Sequence, residues 1–325
     1  MGHRIDGLQY ANWSARIFEQ MRAGGMDAVQ VTVAYHETFA ELVQNLAQWN
    51  RHFERYPHLI ARALSAADIR AAKASGRTAI LFGLQTPAPI GDDLGLIQIL
   101  HQLGVRIMQL SYNNQSLLAT GCHEATDPGL TRFGRQAVAA MNRVGLVIDM
   151  SHSAERSTLR AIDLSARPIT LSHANPNGWH PARRNKSGAV LTALTAPGGM
   201  LGPSLYPHHL QGGSTCALDS FCQMAAEAAS RYGAGNIGIG SDLCQDQPDK
   251  VVDWMRMGRW TRTPECGEGS APAPGFPASV AWFADSRDFA QIGDGLSRAG
   301  FSAAEVEGVM GENWLRFYEG GFGEG

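Results

Sequence analysis

Short apolar runs alternate with amphipathic stretches along nearly the whole chain. Residues 4–8, 28–34, 78–82, 105–111, 146–150, 168–172, 199–203 and 236–240 read as brief, mostly buried strands. Between them, apolar positions recur at helical spacing over 15–23, 39–56, 66–75, 93–103, 133–144, 157–164 and 217–232. Strands that alternate with helices predict a parallel sheet, because each parallel connection needs a crossover. Glycines stand just before several of these runs (Gly76, Gly104, Gly145, Gly233), where a left-handed residue ends the preceding helix. With 325 residues, no dividing linker and no internal repeat, the pattern predicts one TIM (β/α)8 barrel domain over 1–325, a fold of roughly 250 residues plus insertions. Helical patterns over 288–299 and 303–310, followed by Gly311-Glu-Asn-Trp, predict additional C-terminal helices packing on the barrel within 286–325. Residues 260–278, rich in Pro and Gly, should form a long loop after the eighth strand.

The chemistry lies just past the ends of three of these runs. Residues 236–240 lead through Ser241 to Asp242, the first ionisable residue past the run. Residues 146–150 lead to His152, and residues 168–172 lead to His173. In a parallel barrel the strand C-termini converge on one mouth, where catalysis sits. Two imidazoles and a carboxylate delivered there point to metal-assisted hydrolysis. Composition narrows the classes further. A 44% hydrophobic content supports a large core, and a net charge of −3 without a basic block argues against nucleic-acid or anionic-membrane partners. The first residues lack a signal-type apolar stretch, and no run approaches the roughly 20 apolar residues of a membrane span. The five cysteines (122, 216, 222, 244, 266) show no CxxC spacing, so free thiols and a cytoplasmic protein are expected.

In order along the chain, Val-Ile-Asp-Met-Ser-His (147–152), Thr-Leu-Ser-His (170–173) and Ile-Gly-Ser-Asp (239–242) resemble the motifs of the membrane (renal) dipeptidase family, a branch of the metal-dependent amidohydrolase barrels. Weaker matches at Gly129-Leu-Thr-Arg-Phe-Gly, Arg184-Asn185, Gly199-Met-Leu-Gly and Gly311-Glu-Asn-Trp keep the same order. The resemblance implies an amidohydrolase-like barrel, a small dipeptide or amide substrate, zinc and a homodimer. It makes His152 and His173 zinc ligands and Asp242 the catalytic acid/base. It gives Arg184 the substrate carboxylate and places Tyr112, Asn113 and Tyr206 at the substrate pocket.

Departures from the family pattern matter as much. Its first strand ends Asp-Gly-His-x-Asp, whereas Asp6-Gly7-Leu8-Gln9-Tyr10 stands here. Asp6, Leu8 and Tyr10 are therefore expected to line a site that has lost two ligands. The bridging glutamate of the third strand is Gln85, and a histidine after the fourth is Tyr112. A carboxamide cannot balance two dications. The expectation is thus one zinc, with Gln85, Cys122 and His123 as candidate substitute ligands. The competing reading is a metal-free or repurposed barrel that binds or transforms a small amino-acid derivative.

Overall fold

The computed structural model describes residues 2–259 and 275–322. Among the described residues nine parallel strands run β1 (Ile5–Ala11), β2 (Ala28–Ala34), β3 (Ile60–Arg62), β4 (Thr78–Leu84), β5 (Val105–Gln109), β6 (Val147–Asp149), β7 (Thr170–Leu171), β8 (Met200–Leu201) and β9 (Leu243–Gln245). They follow the order β8-β7-β6-β5-β4-β2-β1-β9, with β3 paired to β4. β3 takes one edge of β4 at Thr78–Ile80, and β5 takes over that edge from Phe82 onward. The sheet curls until residues 237–240 join its ends. Gly238 N donates to Leu201 O (2.9 Å), Gly240 N to Pro203 O (3.1 Å), and Gly7 N to Ile239 O (2.8 Å). Residues 236–240, expected as the eighth strand, thus seal β8 to β1 by backbone bonds on both sides.

Strand periodicity divides the core into two parts. Val29, Val31, Ile80, Phe82, Met108 and Ile148 belong to the larger apolar cluster, which includes the surrounding helices. Ile5, Ala28, Leu81, Ile107, Val147 and Met200 belong to a second cluster that also contains Trp314 and Tyr318 of the helix Asn313–Gly321. The C-terminal helix therefore plugs the end of the ring where the strands begin. Local signals agree with the sequence. The helix Phe39–Arg55 starts on a Thr38/Glu41 capping box, and the helix Arg132–Val144 ends at Gly145, which takes φ 74° just before β6.

Trp314 explains why glycines stand at matching levels of neighbouring strands. A Cβ on Gly7 would sit 2.7 Å from Trp314 Cζ2, and one on Gly238 would sit 2.4 Å from its Nε1. The indole donates to Ile239 O (2.9 Å), so the buried N–H is satisfied. Trp314→Ala should cost about 3–5 kcal/mol in urea unfolding. A loss below about 1 kcal/mol would show that the plug carries little of the stability.

Candidate active site

His152 and Asp242 line a cavity at the mouth formed by the strand C-termini, and His173, fully buried and outside that lining, lies against His152. The cavity is lined by Tyr10, Tyr35, Gln85, Tyr112, His152 and Asp242, among others. Each of these follows or ends a strand, or lies in the turn after residues 237–240, which is why residues far apart in sequence share one wall.

The imidazoles are held by a buried polar relay. Asp149, fully buried at the end of β6, accepts from Ser151 N (2.9 Å), Ser151 Oγ (2.6 Å) and Ser172 N (3.2 Å), and from Ser172 Oγ. Ser172 Oγ lies 2.8 Å from His173 Nδ1. His173 Nε2 lies 2.9 Å from His152 Nε2, and His152 Nδ1 lies 2.6 Å from Asn113 Oδ1. The donors available allow two proton arrangements, set by the charge on Asp149. With Asp149 ionised, Ser172 donates to it and accepts from His173 Nδ1–H, while His152 Nδ1–H donates to Asn113. Both Nε2 atoms then present lone pairs to the same point. With Asp149 protonated, the Ser172 relay reverses and places a hydrogen on His173 Nε2, closing an N–H···N bond to His152. Burial raises the Asp149 carboxyl, and its hydrogen bonds to Ser151 and Ser172 oppose that shift. Burial, and then the nearby Arg184 charge, push both imidazoles well below their ordinary range, which keeps them neutral as ligands must be.

Tyr112 lies against His152, with ring centroids 4.0 Å apart and planes 26° apart, and so fixes the imidazole plane. Tyr35 meets Tyr112 and Tyr10 edge to face. Gln85 Nε2 donates to Thr32 Oγ1 (2.8 Å) and Tyr35 Oη (3.1 Å), so the carboxamide is tied into this aromatic wall. Asp242 takes φ 56°, a left-handed conformation that Asp tolerates better than most residues, and its N–H donates to Leu8 O (3.1 Å). This turn redirects the chain at the mouth.

The remaining sequence candidates have other surroundings. Asp6 is fully buried and accepts from Ser241 N (2.8 Å), Leu8 N (3.2 Å) and Gln9 Nε2 (2.8 Å), and from Ser241 Oγ. It pins the turn before Asp242 to β1, and burial pushes it up to about 6 despite those bonds. Asp6 and Leu8 lie outside the cavity lining, whereas Tyr10 is part of it. Cys122 and His123 also lie outside the lining. Cys122 N donates to His152 O (2.9 Å), and its thiol points to Asn113 Oδ1 at 3.6 Å, so this turn buttresses the His152 segment. Arg184 lines the cavity, but its Nη1 donates to Ser151 O and its Nη2 to His173 O (3.0 Å). Tyr206 and Asn113 are in the lining. Of the expected loop over 260–278, residues 260–274 lie outside the described residues.

Several groups escaped the sequence reading. Tyr35 directly follows β2 and was within reach of the strand-end rule. His209 and Arg256 come from a short turn and from the helix Lys250–Met257, where no strand points to them. Lys186, buried beside this region, donates to Ser153 O (2.6 Å), and burial pulls its amine down to about 7.

Whether a metal fits is decided by the donors. No group of three or more His, Cys, Asp or Glu suited to a metal ion occurs among the described residues. The His152 and His173 Nε2 atoms do fit two positions of one ion. Ligands at 2.0–2.1 Å in tetrahedral geometry are roughly 3.3 Å apart, so the 2.9 Å pair needs to open by only a few tenths of an ångström. Gln85, the residue expected at the bridging position, is a neutral amide in the cavity lining.

Comparison with known proteins agrees with this architecture. The membrane dipeptidase model (peptidase family M19) matches residues 10–257, and the chain belongs to that family. Dipeptidase tcpJ of Claviceps purpurea is 24% identical over 285 residues, covering 87% of this chain and 60% of that protein. The chain thus spans less than two thirds of that curated relative's length. The crystal structure of an amidohydrolase from Pseudomonas aeruginosa superposes with a TM-score of 0.94 at 33% identity, covering 99% of this chain and 97% of that one. A metallo peptidase from Rhodobacter sphaeroides, liganded with a phosphinate mimic of the dipeptide L-Ala-D-Ala, shares the fold with a TM-score of 0.79 at 17% identity, covering 98% and 99%. The parallel strands, curled with helices around them, are the amidohydrolase TIM-barrel-like fold of these neighbours.

Proposed function

We propose that this protein is a dipeptidase-type hydrolase of small amides that works with a single zinc ion held by His152 and His173. The observation that carries the reading is the approach of His152 Nε2 to within 2.9 Å of His173 Nε2 beside the cavity at the barrel mouth. A zinc ion bound there would supply an activated water and polarise an amide carbonyl. The chain's own groups do the rest. The Asp149–Ser172 relay holds the His173 tautomer and ring, as outer carboxylates do for ligating histidines. Tyr112 and Asn113 hold the His152 ring from its face and its Nδ1 edge. Asp242 takes a proton from the attacking water and returns it to the leaving amine. Burial, and then the Asp242 charge, keep the Tyr112 phenol protonated, so it adds no second anion to the wall. Arg184 and Tyr206 receive the substrate carboxylate, for which a guanidinium is the suited donor.

Among the described residues no helix is long and apolar enough to cross a membrane. The family resemblance supports a homodimer, which sedimentation would test.

The experiment is hydrolysis of L,L- and L,D-dipeptides with and without a chelator. The proposal expects turnover that chelation removes and added zinc restores. A metal-free barrel acting on an amino-acid derivative is the competing reading, favoured by the lack of a third histidine, cysteine or carboxylate at the pair among the described residues. Turnover untouched by exhaustive chelation would select it and overturn the zinc reading.

A further inference from the structure

We propose that Arg256 is a second anion-recognition residue of the cavity, so that the substrate carries an acidic side chain in addition to its terminal carboxylate. The inference rests on reading the cavity as the substrate site. Arg256 lies on the helix Lys250–Met257 and is 7% exposed, and its side chain lines the cavity with Asp242 and Arg184. Its Nη2 is buried without a hydrogen-bond partner among the described residues.

Two other buried arginines among the described residues donate from their guanidinium to backbone carbonyls, whereas Arg62, half-buried away from the cavity, keeps a buried Nε without a partner. Arg184 donates to Ser151 O and His173 O, and Arg106 donates to His101 O and Val105 O. A guanidinium is a fixed charge with donors in a planar fork, and burying one with a donor unmet is unfavourable unless a ligand supplies the acceptor. Val252 and Met255 of the same helix, together with Phe276, make the adjoining wall apolar. Apolar surroundings exclude water and strengthen attraction between Arg256 and an anion.

Charge balance points the same way. Arg184 and Arg256 place two fixed positive charges in the lining, against the single carboxylate of Asp242. A neutral dipeptide brings one ammonium and one carboxylate and leaves the excess uncompensated. An aspartyl or glutamyl residue brings the missing negative charge, in the two-oxygen form that a guanidinium fork matches.

The test compares dipeptides that differ only in charge at one side chain: Ala-Glu against Ala-Gln, and Glu-Ala against Gln-Ala. For one of the pairs, the wild type should favour the acidic member by at least about tenfold in kcat/KM, as expected for a charge-assisted hydrogen bond. Arg256→Gln should bring that ratio close to one, and Arg256→Lys should retain part of it, with folding of each variant checked by thermal unfolding. A wild-type ratio near one for both pairs, or a ratio unchanged in Arg256→Gln, would overturn the proposal. So would an equal loss for acidic and neutral partners, because Arg256 would then hold the carboxylate they share. If no dipeptide is hydrolysed, calorimetric binding of glutamate against glutamine reads the same ratio. A glutamate preference lost in Arg256→Gln would then uphold this inference while the hydrolase reading falls.

Discussion

Asp242→Asn should lower dipeptide turnover by about 10²–10⁴-fold, the usual contribution of a positioned acid or base. Asparagine is the informative replacement because it tolerates the left-handed conformation of φ 56° and keeps the side-chain shape. The turn should persist, since Asp242 N still donates to Leu8 O and Asp6 still grips Ser241. Thermal unfolding close to that of the wild type, together with collapsed kcat, would place the effect on proton transfer. Full turnover in Asp242→Asn would remove this residue from the mechanism, and the strand-end logic would lose its carboxylate.

Removing an imidazole should have an even larger effect. His173→Ala removes one of the two imidazoles of the proposed zinc site and should reduce turnover to background, at least about a thousandfold, with loss of zinc. Ser172→Ala is its graded counterpart. It breaks the link from Asp149 to His173 Nδ1 but leaves both ligands in place, so zinc affinity should fall about 10–100-fold rather than vanish. The ordering of these two variants separates a ligand role from a purely structural one. If His173→Ala retained zinc while Ser172→Ala lost it, the imidazole would be packing and the serine would be the important contact. Both substitutions lie in a fully buried region, so unfolding must be measured beside them.

Much of this arrangement can be read from the chain because a barrel converts sequence position into spatial position. A residue one to three places beyond a buried run lies near the mouth: His152 and Asp242 line the cavity, and His173 lies against His152. The glycines before strands mark helix ends for an equally local reason. Other elements give no such signal. β3 spans only Ile60–Arg62, too few residues for alternation to show, and the helix Gly188–Thr195 is a short apolar run that periodicity cannot tell from a strand. Residues 236–240 read as a strand and do bridge β8 to β1, yet the regular pairing to β1 beyond them comes from β9, past the Asp242 turn. Arg256 and His209 reach the cavity from a helix and a turn, so their place depends on how the chain returns to the mouth. Asp6 shows the opposite failure. Its position at the first strand suggests a site role, but its oxygens are occupied by Ser241, Leu8 and Gln9.

Gln85, which the family resemblance sets in place of a bridging glutamate, has a structural role in its surroundings. The amide donates to Thr32 and Tyr35, and tyrosines at 10, 35 and 112 pack against one another near the positions the family gives to ligands. An uncharged wall of this kind cannot offset a second dication.

Zinc stoichiometry decides the matter most directly. Purified protein equilibrated with zinc, freed of excess and analysed for metal should hold about one ion per chain, with crystallographic anomalous density between His152 Nε2 and His173 Nε2. Two tightly held ions per chain would mean that the amide wall supports a dinuclear centre after all. An imidazole pair that stays metal-free under the same conditions would be equally contradictory.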